Sequence, residues 1–350
     1  MSSKTYVGTK AFALRGTLLD PGTTQKFAGA TSLDELVNRL KGTPYSDVVS
    51  GLIPPLTARR MELAFCERLA RVHNSIVTGA GRYGLLKLYY LKNISWDLKL
   101  ALKAKALNRT FEETVEFLDM KAEELVGRRD LIVKILSARD ITEAVAGLSG
   151  TEFHLDAERA LAGYSVRGET RFFDLYLDHA VFSAISGEYS RNSRIYASKA
   201  ADANGVGDIV ALDIDSYNVL STLRARLWGL PDAEVHDLVV RPTRRVAAPV
   251  LASMAGAEST DEAVKLLEPY YRFQLQGTEN EEELIEMVED GFAKKLRQTS
   301  ALAFVWQGLG PGAALALVKL LEFEVGNLAA IAIGIEAGIE PKKILSKLKI

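Results

Sequence analysis

The sequence predicts an all-α protein built from three divergent copies of one helical unit. Apolar residues recur with the helical period along most of the chain. No Asn-Gly or Asp-Gly pair joins two alternating runs, as a β-hairpin would require. Two short patterns also alternate three times. The first is a Glu–x–Val–x–x–Leu helix start: Glu35, Val37 and Leu40, then Glu143, Val145 and Leu148, then Glu262, Val264 and Leu267. The second is an apolar helix with a lone Asp or Asn: Trp96-Asp97-Leu98, Tyr217-Asn218-Val219 and Gly326-Asn327-Leu328. These define one domain over residues 1–350 with pseudo-repeats of roughly 1–108, 109–230 and 231–350. Chemistry seldom needs three degenerate copies of a site, whereas a scaffold is readily built that way.

The elements follow in order. Tyr6 to Leu18 is amphipathic and is stopped by Pro21-Gly22. Ser32 and Glu35 form a capping box: the hydroxyl accepts from the third backbone N–H and the carboxylate reaches back to the cap. That helix runs to Leu40 and ends at Gly42. Asp140 with Glu143, and Ser259 with Glu262, repeat the device. Each copy soon meets an aromatic: Tyr45, Phe153, and Tyr270 or Tyr271. Cap and aromatic together read as a packing device. Longer helices are expected over Ala58–Thr78 and Tyr83–Leu107, parted by Gly79-Ala80-Gly81. Arg171–Ser186 and Tyr189–Ala203 are parted by Gly187, and Val206–Leu227 stops at Gly229-Leu230-Pro231. The run Ile209–Leu212 sits inside a helical period and is not a strand. Glu281–Lys295 and Gly312–Ala337 complete the set, with Gly338 ending the last long helix and Pro341 opening a short final one.

Composition excludes several classes. At 48% apolar the chain buries a large core, and a net charge of −2 provides no basic field for nucleic acid and no polybasic membrane anchor. The single cysteine, Cys66, rules out an intrachain disulfide and argues against a thiol-ligated metal. The first residues lack the apolar core of a secretory signal, so a reducing cytosol is expected. Thr299 to Val318 carries no charge, but Gly308-Leu-Gly-Pro-Gly312 interrupts it, so two helices meeting at a turn are expected rather than a membrane span.

The search for chemistry finds little. His73, His154, His179 and His236 include no pair at helical ligand spacing. His179 follows Asp174 and Asp178 on one helix, which reads as a surface or satisfied histidine. The turn Gly308–Gly312 precedes a helix, yet Pro311 removes an N–H and no Lys-Ser/Thr follows, so it is not a phosphate loop. Asp213 and Asp215 match Glu322 and Glu324 one copy later, but the first copy has Lys92 and Ile94 there, which speaks against acid–base catalysis. Asp97, Asn218 and Asn327 are polar groups amid apolar neighbours and must be hydrogen-bonded. The expectation is that each fixes a helix end or loop of its own repeat. Arg128-Arg129 and Arg241–Arg245 are too short for a nucleic-acid footprint. Glu279 to Asp290, followed by Lys294, Lys295 and Arg297, reads as a solvated helix face complementing the helix dipole.

Three segments carry a resemblance. Thr5–Leu19, Trp96–Lys105 and Leu321–Gly338 resemble three helices of the C subunit of A/V-type ATP synthases, whose eukaryotic V-ATPase counterpart is the d subunit. They are its opening helix, its Trp-Asp-(Ile/Leu) helix and its closing Glu-x-Glu-x-x-Asn-Leu helix. The resemblance spans the chain. It implies three helical subdomains arranged as a funnel around a pseudo-threefold axis. It implies a non-catalytic central-stalk component without cofactor, a socket coupling the rotor shaft (D/F-type subunits) to the membrane rotor ring (K/c type) during ion transport and ATP synthesis or hydrolysis. Such a protein would be peripheral, on the cytoplasmic face, touching the membrane only through the ring. The last long helix departs from the family with Ala329–Gly334, where more basic and aromatic residues are usual, so no partner-binding residue is assigned. The apolar C-terminal region and the acidic Glu279–Asp290 helix are the expected unlike surfaces for ring and shaft. An alternative, a helical-repeat adaptor with an unrelated soluble partner, predicts an open solenoid. A third reading, an all-α enzyme, requires His179, Asp174 and Glu158 to converge.

Overall fold

The computed structural model describes residues 3–125, 127–196, 203–275, 280–306 and 309–350; among them every regular element is a helix. The first group is α1 (Ser3–Arg15), α2 (Pro21–Phe27), α3 (Leu33–Leu40), α4 (Ser46–Val49), α5 (Ala58–Val77), α6 (Gly84–Leu88) and α7 (Leu91–Ala106). The second is α8 (Phe111–Val115), α9 (Met120–Leu125), α10 (Arg129–Ser137), α11 (Ile141–Ala146), α12 (His154–Arg167), α13 (Arg171–Arg191), α14 (Ser193–Tyr196) and α15 (Ala203–Leu227). The third is α16 (Asp232–Asp237), α17 (Ala248–Ala255), α18 (Thr260–Lys265), α19 (Glu281–Trp306), α20 (Pro311–Glu336) and α21 (Pro341–Lys347).

The repeated cap forms three times with one geometry. Ser32 Oγ, Asp140 Oδ1 and Ser259 Oγ accept from the N–H of Glu35, Glu143 and Glu262 at 3.2, 2.8 and 3.1 Å. The glutamate's reach is one residue longer than expected. Glu35, Glu143 and Glu262 accept from the N–H groups of Thr31, Arg139 and Glu258, each at 2.8 Å, rather than from the cap residue itself. The carboxylate thereby holds the incoming stretch of chain as well as the first turn.

The Asp/Asn pattern also has one geometry. Asn218 Oδ1 accepts from Val240 N–H at 2.8 Å, and its Nδ2 donates to Val240 O at 3.1 Å. Asn327 makes the same two bonds to Lys349, at 2.8 and 3.2 Å. Asp97 accepts from Asp119 N–H at 3.3 Å. In every case the partner lies 22 residues downstream. The hydrogen-bonded ties are present as expected, but not within one repeat each: Asp97 and Asn218 hold Asp119 and Val240 at the start of the next repeat, and only Asn327 holds a segment of its own.

The third repeated element is the aromatic after the cap. Tyr45 donates to Glu324 Oε1 at 2.8 Å, and Tyr271, not the partly exposed Tyr270, donates to Asp215 Oδ2 at 2.6 Å. Phe153 has no hydroxyl, and the residue matching Glu324 and Asp215 in its partner helix is Ile94; both are buried in one cluster. The first and third cap units are therefore latched to the long helix of the preceding copy, and the second shares a core with it. For the first cap that helix is α20, at the other end of the chain. Leu19 N–H reaches Glu324 Oε2 at 2.5 Å, and Ala58 N–H reaches Glu336 Oε1 at 3.0 Å. Phe27, Leu36, Tyr45, Met61 and Phe65 share one core with Leu321, Val325, Leu328 and Ile331. Each such side chain withdrawn from water contributes roughly 1.5–3 kcal/mol.

Several boundaries differ from expectation. α13 runs through Gly187 without a break. A mid-helix glycine costs only about 1 kcal/mol, and the burial of Phe172, Phe173, Leu177 and Ile185 outweighs it. The expected helix over Tyr189–Ala203 is α13's last turn and α14; residues 197–202 lie outside the described ones. The expected Tyr83–Leu107 helix splits at Tyr89-Tyr90, because both rings are buried and a turn aims them at different neighbours. α19 continues to Trp306, extended by the packing of Phe304 edge-on against Phe12 at 5.2 Å.

Candidate functional site

The long helices α7, α15 and α20, with the turn just ahead of α7, carry a second set of equivalent positions ahead of the tie residues. Five residues before each tie stand Lys92, Asp213 and Glu322; eight before stand Tyr89, Val210 and Lys319. The fold brings all of these except the apolar Val210 into one ionic network. Lys319 Nζ lies 2.9 Å from Asp213 Oδ2 and 3.2 Å from Glu322 Oε2. Lys92 Nζ lies 3.0 Å from Glu322 Oε2, and Tyr89 donates to Asp213 Oδ2 at 2.7 Å. Lys319 also sits over the Tyr89 ring, 4.4 Å from its centroid. Two cations meet two anions, so the hub is neutral.

The hub is sealed at one end. Lys319 and Asp213 side chains are 0% and 7% exposed, whereas Lys92 and Glu322 are 31% and 24% exposed. Burial works to raise the Glu322 carboxyl, but Lys319 and Lys92 outweigh it and hold the group down to about 2. Burial pulls the Lys319 ammonium down, and Asp213 and Glu322 oppose it. Every charge of the set is matched by an opposite charge from another position of the hub, which offsets the cost of burying it. The paired carboxylates of α15 and α20 are thus an ion-pair hub (Asp213, Glu322) and a pair of latches (Asp215, Glu324).

The histidines are occupied elsewhere. His73 is buried, with Nε2 2.7 Å from Leu86 O, and burial pulls its pKa down to about 4. His179 Nδ1 lies 2.9 Å from Asp156 Oδ2, while Asp174 pairs with Lys103 at 2.7 Å and Glu158 faces His154 at 3.6 Å. The trio of an enzyme reading therefore does not converge. Among the described residues no group of three His, Cys, Asp or Glu side chains is placed to hold a metal.

A scaffold of this kind has known relatives. Residues 7–347 match the family described as ATP synthase (C/AC39) subunit. The chain belongs to that family. The C subunit of the A-type ATP synthase of Haloferax volcanii is 28% identical over 298 residues, covering 83% of this chain and 81% of its own length. The C subunit of Methanocaldococcus jannaschii is 22% identical over 352 residues, covering 98% and 85%. That of Thermococcus kodakarensis is 22% identical over 353 residues, covering 97% and 88%.

Membership of the family is compatible with a hub whose charges are paired with one another. It also agrees with the helices themselves: among the described residues none is long and apolar enough to cross a membrane. The uncharged stretch is the end of α19 and the start of α20, and the turn between them is clasped by α1. A Cβ on Gly8 would lie 2.3 Å from Gly310 N, so only glycine allows that approach. The Gln307-Gly308 part of the turn lies outside the described residues.

The charge patches are largely paired within the chain, at its surface. The acidic face of α19 meets the chain's own basic tail: Lys347 pairs with Glu286 at 3.1 Å, and Lys349 with Asp290 at 3.6 Å. Arg224 takes Glu289 at 2.5 Å; Glu279 is outside the described residues. Arg245 pairs with Asp208 at 2.5 Å, and Arg128 with Glu152 at 2.9 Å. Sequence reading misses Lys319, whose equivalents Tyr89 and Val210 share no chemistry with it. The one local signal is a lone cation between Val318 and Leu320 in an otherwise apolar run.

Proposed function

We propose that this chain is the non-catalytic central-stalk component of an A/V-type ATP synthase or ATPase. It is a socket that couples D/F-type shaft subunits to the K/c-type membrane ring, peripheral on the cytoplasmic face. Its three pseudo-repeats, 1–108, 109–230 and 231–350, form a funnel around a pseudo-threefold axis. The observation that carries this reading is the cyclic latching. Tyr271 of the third repeat bonds to Asp215 of the second, and Tyr45 of the first bonds to Glu324 of the third. Phe153 of the second and Ile94 of the first complete the cycle within one core. An open solenoid leaves its first and last repeats apart, so the adaptor alternative loses its geometric support.

Such closure suits torque transfer. A coupler between two rotating bodies needs stiffness under load, and close-packed helices provide it where flexible linkers do not. The exposed apolar side chains Leu302, Val305 and Leu309 at the junction of α19 and α20 and the charged face of α19 are unlike surfaces of the kind a ring and a shaft require. Affinity purification of the tagged chain from solubilised native membranes tests the reading. Co-recovery of head, shaft and ring proteins supports it. Recovery of the chain alone, or only with soluble partners, refutes it.

A further inference from the structure

The three ties are not chemically equal. Asn218 and Asn327 each present an acceptor and a donor to one backbone residue. Asp97 occupies the same place, but an ionised carboxylate has no hydrogen to donate. A second carboxyl answers it. Glu123 on α9 is 1% exposed, and its Oε2 is sealed from solvent without a hydrogen-bond partner among the described residues. Its helix starts one residue after Asp119, whose N–H donates to the Asp97 carboxyl, itself 2% exposed, and the Asp97 charge raises the Glu123 carboxyl. Two buried acceptors set against each other repel unless a proton lies between them.

We propose that Asp97 and Glu123 are a proton-holding pair that fastens the α8–α9 segment to α7, making one of the three ties a pH-sensitive latch.

The surroundings favour the proton. From α5, Glu67 adds like charge beside the adjoining Asp119, though it is taken by Arg71 and by Lys121 of α9 at 2.9 Å. Arg59 of α5 is engaged by Glu62 at 2.7 Å and by the Phe117 carbonyl. Arg128, ahead of α10, is held by Glu152 at 2.9 Å. Asp119 spends Oδ1 on the Ala122 N–H at 3.0 Å and leaves Oδ2 buried without a donor. The remaining neighbours, Cys66 on α5 and Tyr90 ahead of α7, stay neutral because burial pushes the thiol up to about 12 and the phenol higher still. No cation is therefore committed to the pair. Burial pushes Asp97 up to about 7 and Glu123 up to about 9, each also raised by acidic neighbours.

The sign follows from linkage. Both folded values lie above the ordinary carboxylate range, so the folded state binds more protons than the unfolded one near neutrality. The latch's contribution is complete below that ordinary range and is lost as pH rises through about 7 to 9. The segment it releases walls a surface groove lined by Leu100, Lys103, Leu107 and Phe117, so the change reaches the exterior.

Hydrogen exchange on the full-length chain between pH 6 and 9, corrected for intrinsic rates, tests the proposal. Opening of residues 111–125 is expected to increase by up to about tenfold per pH unit as one proton is released. The Val240 amide, held by Asn218, is the internal control and should not follow. Asp97→Asn, which copies the amide of the other ties, and Glu123→Gln should each abolish the extra dependence. Infrared spectroscopy of the wild type should show a protonated-carboxyl band that fades with rising pH, and each folded variant should lack it. A wild type without that band at neutral pH overturns the proposal whether or not the variants fold. So does an Asp97→Asn protein with the wild-type pH profile.

Discussion

The first copy and the other two solve the same packing problem with different atoms. Around Asp215 and Glu324 a buried tyrosine hydroxyl meets a buried carboxylate; at the equivalent Ile94 and Phe153 both polar groups are gone and both side chains are buried in one apolar core. The ties diverge in parallel, with two amides and one acid. The hub goes furthest, with a cation, an anion and an anion at one set of equivalent places. What the copies share is where a contact falls, not what makes it. A closed array of the kind we propose would tolerate such drift, since each interface can change separately as long as the spacing that lets the array close is kept.

The comparison breaks most sharply at the hub, where chemistry has become asymmetric. Lys319→Met leaves Asp213 without its ammonium partner and weakens the hold on Glu322. It should cost about 3–5 kcal/mol in urea unfolding. A loss below about 1 kcal/mol would mean that the network is not sealed as described.

The ties come next. Asn218→Ala strands a buried N–H and C=O, with a penalty of about 1–3 kcal/mol for each group left unsatisfied. Asn327→Ala should cost less, because its partner Lys349 is only half-buried, so water can replace the amide, whereas Val240 is buried. Equal losses at the two sites would deny that distinction.

The latches sharpen the comparison further. Tyr45→Phe and Tyr271→Phe convert each polar latch halfway to the apolar one and leave a carboxylate short of a donor. Each should cost about 1–3 kcal/mol, and the loss should fall when pH is lowered enough to protonate Glu324 or Asp215. Burial already raises both carboxyls. The smallest effect is expected on the surface: Lys347→Ala removes an exposed pair with Glu286 and should change stability by less than about 1 kcal/mol.

Much of this is legible in the sequence, for physical reasons. The helices are legible because one face of each is apolar at the helical period. The caps and ties are legible because a polar residue in a fixed place against an apolar background has few other uses. Tyr271 is not separable from Tyr270, since which of two adjacent rings turns inward depends on Asp215, distant in sequence. The glutamate's reach to Thr31, Arg139 and Glu258 depends on the path of the incoming chain, which no local pattern encodes. Gly187 misleads because a glycine signals a break only where packing does not override it. Lys92, Asp213 and Glu322 stand out as equivalent positions, and their unlike chemistry speaks only against catalysis. Their convergence is invisible in one dimension because it arises only once the three helices lie side by side.

Closure of the array through the first and last units is the claim on which the rest depends. Native-state hydrogen exchange on Glu324→Ala tests it most directly. Glu324 belongs to α20, yet it holds Leu19 and Tyr45, 305 and 279 residues away. If the ends form one body, protection in α3 and α5 should fall together with that in α20, while α11 and α18 keep theirs. If α3 and α5 keep wild-type protection while only α20 loosens, the chain is a linear array and the closed socket is wrong.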